Sequence, residues 1–259
     1  MAAKNHIDLV IKTLHVLESL SSSDFGKPLK QIVEEVGLVK SSVFRILFTL
    51  KEAGYVEQPE SNGVYRLTLK TAGLSRKNSE KLNFISIARP WLHGLFQELN
   101  ESVALAERRE TAVILVDVIE ALHPLRLTFH IGDNCPIHAT ALGKAVAAFV
   151  DEAELKSLLD QAELAPFTPR TKTSRKVLKA ELQAVREAGY SVNDGETLSG
   201  ALLVGAPVFD SLQAVCGAIS VNIPTVRCPD GRKEQLVRSV THAAARISED
   251  LARVGFQRR

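Results

Sequence analysis

The chain has 259 residues, enough for about one or two domains with a core that needs no disulfide staples. Lys and Arg total 32 against 30 Asp and Glu, a net charge of +2, which excludes a chain coated in positive charge but leaves room for a basic patch on one module. Cys135, Cys216 and Cys228 are widely spaced and odd in number, so they read as reduced intracellular thiols rather than a disulfide framework.

The first residues are broken by His6, Asp8, Lys12 and Glu18 and lack the apolar run of a signal peptide. No stretch approaches the roughly 18 apolar residues of a membrane span, so the expected location is the cytoplasm and no membrane partner is expected. Residues 8 to 20 carry Leu9, Val10, Leu14, Val16, Leu17 and Leu20 at helical spacing, until the cluster Ser21 to Asp24 ends the pattern. A second helix is predicted from Pro28, a favoured first-turn residue, to Gly37, with Leu29, Ile32, Val33 and Val36 on one face. A third runs from Ser41, a suitable N-cap, to about Ala53, with Val43, Ile46, Leu47 and Leu50 inward and Gly54 as its stop. Residues 55–58 and 64–67 then flank Ser61-Asn62-Gly63, a strong hairpin signal. Three helices and a hairpin make a winged helix-turn-helix, although the same pattern also fits a helical module used for dimer contacts.

A polar linker helix is expected over about 71–83, with Arg76, Lys77, Glu80 and Lys81. A second domain should open near 88–91 with a helix to Leu99, followed by strands at 103–106, 113–119 and 125–129. Helices at 139–150, 151–160 and 174–188, strands at 201–209 and 214–223, and a last helix at 230–253 complete the pattern. Blocks of strands and helices without regular alternation indicate an α+β domain on an antiparallel sheet. The domain boundaries read 1–72, 73–87 and 88–259. Gly143-Lys144 resembles a phosphate loop only in passing, because Ala145 follows and His138 stands where the leading Gly belongs.

Three segments carry a family resemblance. They are 40–50 (KSSVFRILFTL) with Glu52-Ala53-Gly54-Tyr55-Val56, then 136–145 (PIHATALGKA), then 188–196 (AGYSVNDGE) running on through 206–210 and 217–221. In that order and at those distances they resemble the isocitrate-lyase regulator (IclR) family of bacterial transcription factors over nearly the whole chain. The resemblance implies an N-terminal DNA-binding domain, a linker helix that helps dimerise, and a C-terminal effector domain related to GAF folds. It implies a transcriptional regulator, repressor or activator, responsive to a small organic acid, sugar acid or aromatic compound. The sequence holds no G-x-S-x-G, H-E-x-x-H or C-x-x-C motif and its seven histidines are scattered, so no enzyme and no cofactor is expected; the alternative is a small-molecule-converting enzyme with an N-terminal oligomerisation module.

A helix fits the major groove, where base edges display a readable donor and acceptor code. The outward face of the third helix presents Ser41, Ser42, Phe44, Arg45 and Thr49 as DNA contacts, with Phe48 expected to pack on the first helix or the wing. Lys27, Lys30, Lys40, Arg66 and Lys70 are the natural phosphate partners. Residues 1–80 hold 11 Lys or Arg against 9 Asp or Glu, so affinity must come from placement and from a homodimer, or a dimer of dimers, on near-palindromic double-stranded operator DNA. The resemblance places the effector pocket at the helix start Ala141, Leu142 and Gly143, a polar loop at Asn193 and Asp194, the strand near Leu203, and Ser220 with Asn222 on the last strand. The chain departs from the family pattern at Asn193, where many members are acidic, and at Leu203, where many are smaller or sulfur-bearing. His130, Cys135 and His138 come nearest to a metal set, but their spacing matches no zinc motif and no metal is expected.

Overall fold

Val16 and Leu20, Ile32, and Val43, Ile46, Leu47 and Leu50 bury their side chains together with Val56 and Tyr65, and that shared core holds the N-terminal unit. The computed structural model describes residues 7–23, 25–59, 63–80, 83–110 and 112–258. Its two compact units are Met1–Lys81 and Leu82–Arg259. The first holds α1 (Asp8–Ser21), α2 (Leu29–Val36) and α3 (Lys40–Glu52), the short antiparallel pair β1 (Val56–Glu57) and β2 (Arg66–Leu67), and α4 (Leu69–Glu80). Gly37 closes α2 at φ 63°, a left-handed conformation that costs glycine no Cβ clash. Pro28 sits just before α2 in extended geometry, and Ser41 lies inside α3, which starts one residue earlier after Val39. Asp24, Ser61, Asn62 and Lys81 lie outside the described residues, and with them most of the expected hairpin turn.

Lys27 is a correction. It is buried, not offered to phosphate: its Nζ donates to Ser22 Oγ (2.9 Å) and bonds Glu35, while its backbone pairs with Tyr65 beside the wing. Hydrogen bonds from Lys27, then Ser19 and Gln31, hold the Glu35 carboxyl down to about 2. A carboxyl lowered on folding stabilises above its unfolded value and loses that contribution as pH falls through the folded one. Unfolding of the N-terminal unit followed by circular dichroism should therefore steepen between about pH 5 and 2, and Glu35→Gln should flatten that profile.

The second unit contains α5 (Asn83–Leu99), β3 (Ser102–Arg108), β4 (Val113–Ile119), α6 (Ala141–Ala147), α7 (Glu152–Gln161), α8 (Arg175–Ala188), β5 (Ser191–Asp194), β6 (Ala201–Phe209), β7 (Val215–Pro224) and α9 (Arg232–Arg253). The strands form one antiparallel sheet in the order β4-β3-β7-β6-β5. Alternation sends Val103, Leu105, Val204, Ile219 and Val221 to one face, under α5 and α9. Ala104, Ala106 and Ala218 go to the other, under α6 to α8. This is the α+β architecture the sequence indicated.

Three local expectations change. The helix expected from 88 begins at Asn83, because Phe84 is fully buried in the core and stacks on Phe256 at 5.9 Å, so the expected boundary at 88 falls inside α5. Pro90 is carried within that helix, where packing of Ala88, Leu92 and Leu95 offsets the missing N–H. Residues 125–129 form no strand, while Asn193 and Asp194, expected in a loop, belong to β5.

Candidate DNA-binding face and effector cavity

The inward set Val43, Ile46, Leu47 and Leu50 on α3 is buried, so the rest of the helix faces out. Lys40, Ser41, Phe44, Arg45 and Thr49 are exposed and Ser42 is half-buried. Ser42, Arg45 and Thr49 line a groove with Leu9 and Thr13 of α1, and Thr49 Oγ1 donates back to the Arg45 carbonyl at 2.9 Å. Phe48 does not pack on α1 or the wing: it is 57% exposed, against 50% for Phe44. Its position, one turn on from Phe44, puts it nearer the middle of the outward face, away from the flank that Ser42, Arg45 and Thr49 share with α1. Lys30 is exposed and 3.9 Å from Glu34, and Arg66 in the wing pairs with Glu57 at 2.6 Å. Lys70 is otherwise engaged, donating to the Ala53 carbonyl at 2.7 Å at the end of α3 and lying 4.7 Å over the Tyr55 ring.

In the C-terminal unit the segment 125–129 lies over the sheet face that carries α6. The Arg227 guanidinium grips the buried Glu101 carboxylate through two hydrogen bonds and donates to the Leu125 carbonyl at 2.6 Å. Ser102 Oγ donates to the Leu127 carbonyl at 3.3 Å and accepts from Ala121 N at 3.0 Å. Between this segment, the turn at 197–198 and β6 lies a cavity of about 280 Å³, lined by Arg126, Leu127, Thr128, Phe129, Thr197, Leu198, Ala201 and Leu203.

Of the eight expected effector residues, Leu203 lines this cavity and Ala141 packs against it with Ala201. Asn193 pairs with Leu203 in register and braces the wall: its amide donates to Thr197 Oγ1 and accepts from Glu196 N, both at 2.8 Å. Asn222, opposite Leu203 on the other side, and Ser220 share that sheet face but do not line the cavity. Ser220 Oγ donates to Asn222 Oδ1 at 2.9 Å, and Asn222 Nδ2 to the Ser102 carbonyl at 3.4 Å. The remaining three point elsewhere. Leu142 enters the core under α6 to α8, and Gly143 faces the Cys135 and Pro136 carbonyls. Its N–H is taken by Thr140 Oγ1 at 2.9 Å, so that donor is not free for a carboxylate. Asp194 is exposed and paired with Arg170 at 2.9 Å, because strand alternation turns it opposite to Asn193.

Leu127, Phe129, Thr197, Leu198 and Ala201 line the cavity without having been singled out in the sequence. A signal existed in part: the connection 120–124 (EALHP) carries no Gly, Asn or Asp of the kind favoured in hairpin turns.

His138 is buried and stacked on Phe167 at 5.7 Å, and its Nε2 faces the Ala165 carbonyl at 3.0 Å. A carbonyl only accepts, so Nε2 carries the proton. Burial, with Asp133 adding to it, pushes the Cys135 thiol up to about 12, so it stays a protonated, packed thiol at neutral pH. His130 is exposed, and among the described residues no three His, Cys, Asp or Glu side chains gather to hold a metal ion.

Two family models match the chain: the bacterial transcriptional regulator IclR C-terminal domain over residues 77–249 and the IclR helix-turn-helix domain over 9–60. The transcriptional regulator KdgR of Escherichia coli (strain K12) is 30% identical over 246 residues, covering 95% of this chain and 93% of that protein. The crystal structure of Thermotoga maritima IclR superposes with a TM-score of 0.76 at 26% identity, over 95% of this chain and 100% of that one. An IclR homolog from Microbacterium hydrocarbonoxydans, complexed with 4-hydroxybenzoate, superposes with a TM-score of 0.77 at 21% identity, over 94% and 98%. A helix-turn-helix unit followed by an effector domain, each matched by its own family model, sets aside the enzyme alternative: the chain belongs to the IclR family of bacterial transcriptional regulators.

Proposed function

We propose that this DNA-binding regulator acts in the cytoplasm as a homodimer, or a dimer of dimers, whose affinity for near-palindromic double-stranded operator DNA changes when a small molecule enters the 280 Å³ cavity. Arg45, Ser41, Ser42, Phe44 and Thr49 approach base edges and nearby phosphates, and Lys30, Lys40 and Arg66 take the backbone. The observation that carries the reading is the outward face of α3, where Lys40, Ser41, Arg45 and Thr49 stand beside two exposed phenylalanines over a buried apolar face. Anisotropy titration of DNA upstream of the gene, at two salt concentrations, tests it. Arg45→Ala is expected to cost on the order of 1–3 kcal/mol, whereas Lys40→Ala should weaken all sequences alike and lower the salt slope by about 1. Unchanged binding by Arg45→Ala would remove it from the interface.

Of the effector classes the family uses, the cavity favours an aromatic or otherwise apolar-bodied acid over a sugar acid. Its walls are mainly Leu127, Phe129, Leu198, Ala201 and Leu203, and the nearby side chains already have partners: Asn193 in Thr197 and Glu196, Ser220 in Asn222, Asn222 in the Ser102 carbonyl, and Ser102 in Leu127 and Ala121. A polyhydroxylated ligand would leave its hydroxyls unpaired there. Arg126, at the lining and 3.0 Å from Glu120, supplies a cation for a carboxylate. Calorimetry with 4-hydroxybenzoate and with gluconate compares the two classes. Leu203→Phe should fill the cavity and weaken the bound acid by about tenfold or more, leaving operator affinity without ligand unchanged. Regulation further requires that the ligand bind the DNA-competent and DNA-incompetent arrangements with different affinity.

A further inference from the structure

We infer that Phe44 and Phe48 form an apolar ridge on α3 that reads adjacent thymine methyl groups in the major groove, which makes Phe48 a specificity-determining residue. The inference rests on α3 being the recognition helix.

The two rings lie one turn apart, are 50% and 57% exposed, and belong to no core cluster of the N-terminal unit. Among the described residues neither stacks on another ring. The exposed half of two adjacent aromatic side chains gains nothing for the unit that carries them, so their further contact lies outside it. The charge around them selects the partner. The exposed surface of α3 bears Lys40, Arg45 and Lys51 against the single acid Glu52, which suits a polyanion and not an apolar protein face. In the major groove the thymine C5 methyl is the one apolar group that protrudes from a base edge, cytosine offering only a flush C5–H there and the remaining features being donors or acceptors. A phenyl ring forms no hydrogen bond and rejects those edges by leaving them dry, so it selects by the methyl. The polar groups Ser42, Arg45 and Thr49 occupy the flank toward α1, and the rings the other, so hydrogen-bond and methyl readout are divided between the two sides of one helix.

The test uses the full-length protein and a duplex it selects from a random-sequence library. Each thymine in the selected site is replaced in turn by deoxyuridine, which removes only the methyl, and affinity is followed by anisotropy. Two neighbouring replacements in each half-site are expected to weaken binding about fourfold each, the transfer free energy of one buried methyl-sized group. Phe48→Ala is expected to weaken the all-thymine duplex by a similar factor and to make binding indifferent to uracil at one of those positions. Phe44→Ala should do the same at the other. Equal affinity of the wild type for every uracil duplex would overturn the assignment, as would a Phe48→Ala protein that stays as sensitive as the wild type. A change of oligomeric state in Phe48→Ala, measured by sedimentation, would reassign the ring to a protein contact and overturn it too. If the selection enriches no sequence at all, it is the recognition-helix reading itself that fails.

Discussion

Lys144→Met is expected to destabilise the C-terminal unit by about 3–5 kcal/mol, the range for removing one partner of a buried ion pair. The Lys144 side chain is fully buried, and its ammonium donates to Glu181 Oε1 (2.8 Å), Glu196 Oε1 (2.7 Å) and the Val192 carbonyl (2.6 Å). Lys172 bonds the same two carboxylate oxygens at 2.8 and 3.2 Å, so two cations and two anions form a neutral cluster joining α6, α8, the end of β5 and the turn beyond it. The second oxygens of Glu181 and Glu196 are buried without a hydrogen-bond partner among the described residues, so both acids depend on the two lysines. Methionine fills much of the space but leaves the two carboxylates sharing one partly exposed lysine. Denaturant unfolding checks the value, and the melting temperature should drop by on the order of 10 °C. Adding Glu196→Gln should recover a good part of the loss, since replacing both members of a buried pair is far less costly than orphaning one. A single variant as stable as the wild type would show that Lys172 alone balances both acids.

Gly143→Ala is expected to cost about 2–4 kcal/mol, although helix propensity by itself favours alanine by about 1 kcal/mol. A Cβ at this position of α6 would stand 2.5 Å from the Pro136 carbonyl oxygen, 2.6 Å from that of Cys135 and 2.7 Å from Thr140 Oγ1. Two of these are backbone atoms. They cannot swing aside, and Thr140 is itself committed as the helix cap, accepting from Gly143 N and donating to Pro136 O, both at 2.9 Å. Gly94→Ala in α5 is the control: nothing lies within 4 Å of its Cβ, and the change should stabilise by about 0.4–1 kcal/mol. The two variants therefore differ in sign, and thermal melts of both separate close packing from propensity. Gly143 and Lys144, which in sequence brush against a phosphate-loop pattern, are thus explained by a tight backbone approach and a buried charge.

The sequence by itself determined the elements whose signal is periodic and local. The apolar spacing of α1, α2 and α3 specified the winged unit, and the long runs at 201–209 and 214–223 specified the central strands, because burial on one or both faces is written into residue order. The order of the three motifs carried the family. What only the tertiary structure decided is which partner each group meets. The segment 191–194 is a strand because β6 pairs with it, not because Ser-Val-Asn-Asp favours one, and 125–129 is rich in strand formers yet finds no strand to pair. Lys27 and Lys70 look in sequence like phosphate ligands, and Phe48 like core; folding gives the two lysines to Glu35 and to the end of α3, and leaves the ring in solvent. Residue type records what a side chain is able to bond, whereas its actual partner comes from segments brought close by the whole fold. The cavity between 126–129, 197–198 and β6 belongs to that second category, since its walls are more than seventy residues apart along the chain at their extremes.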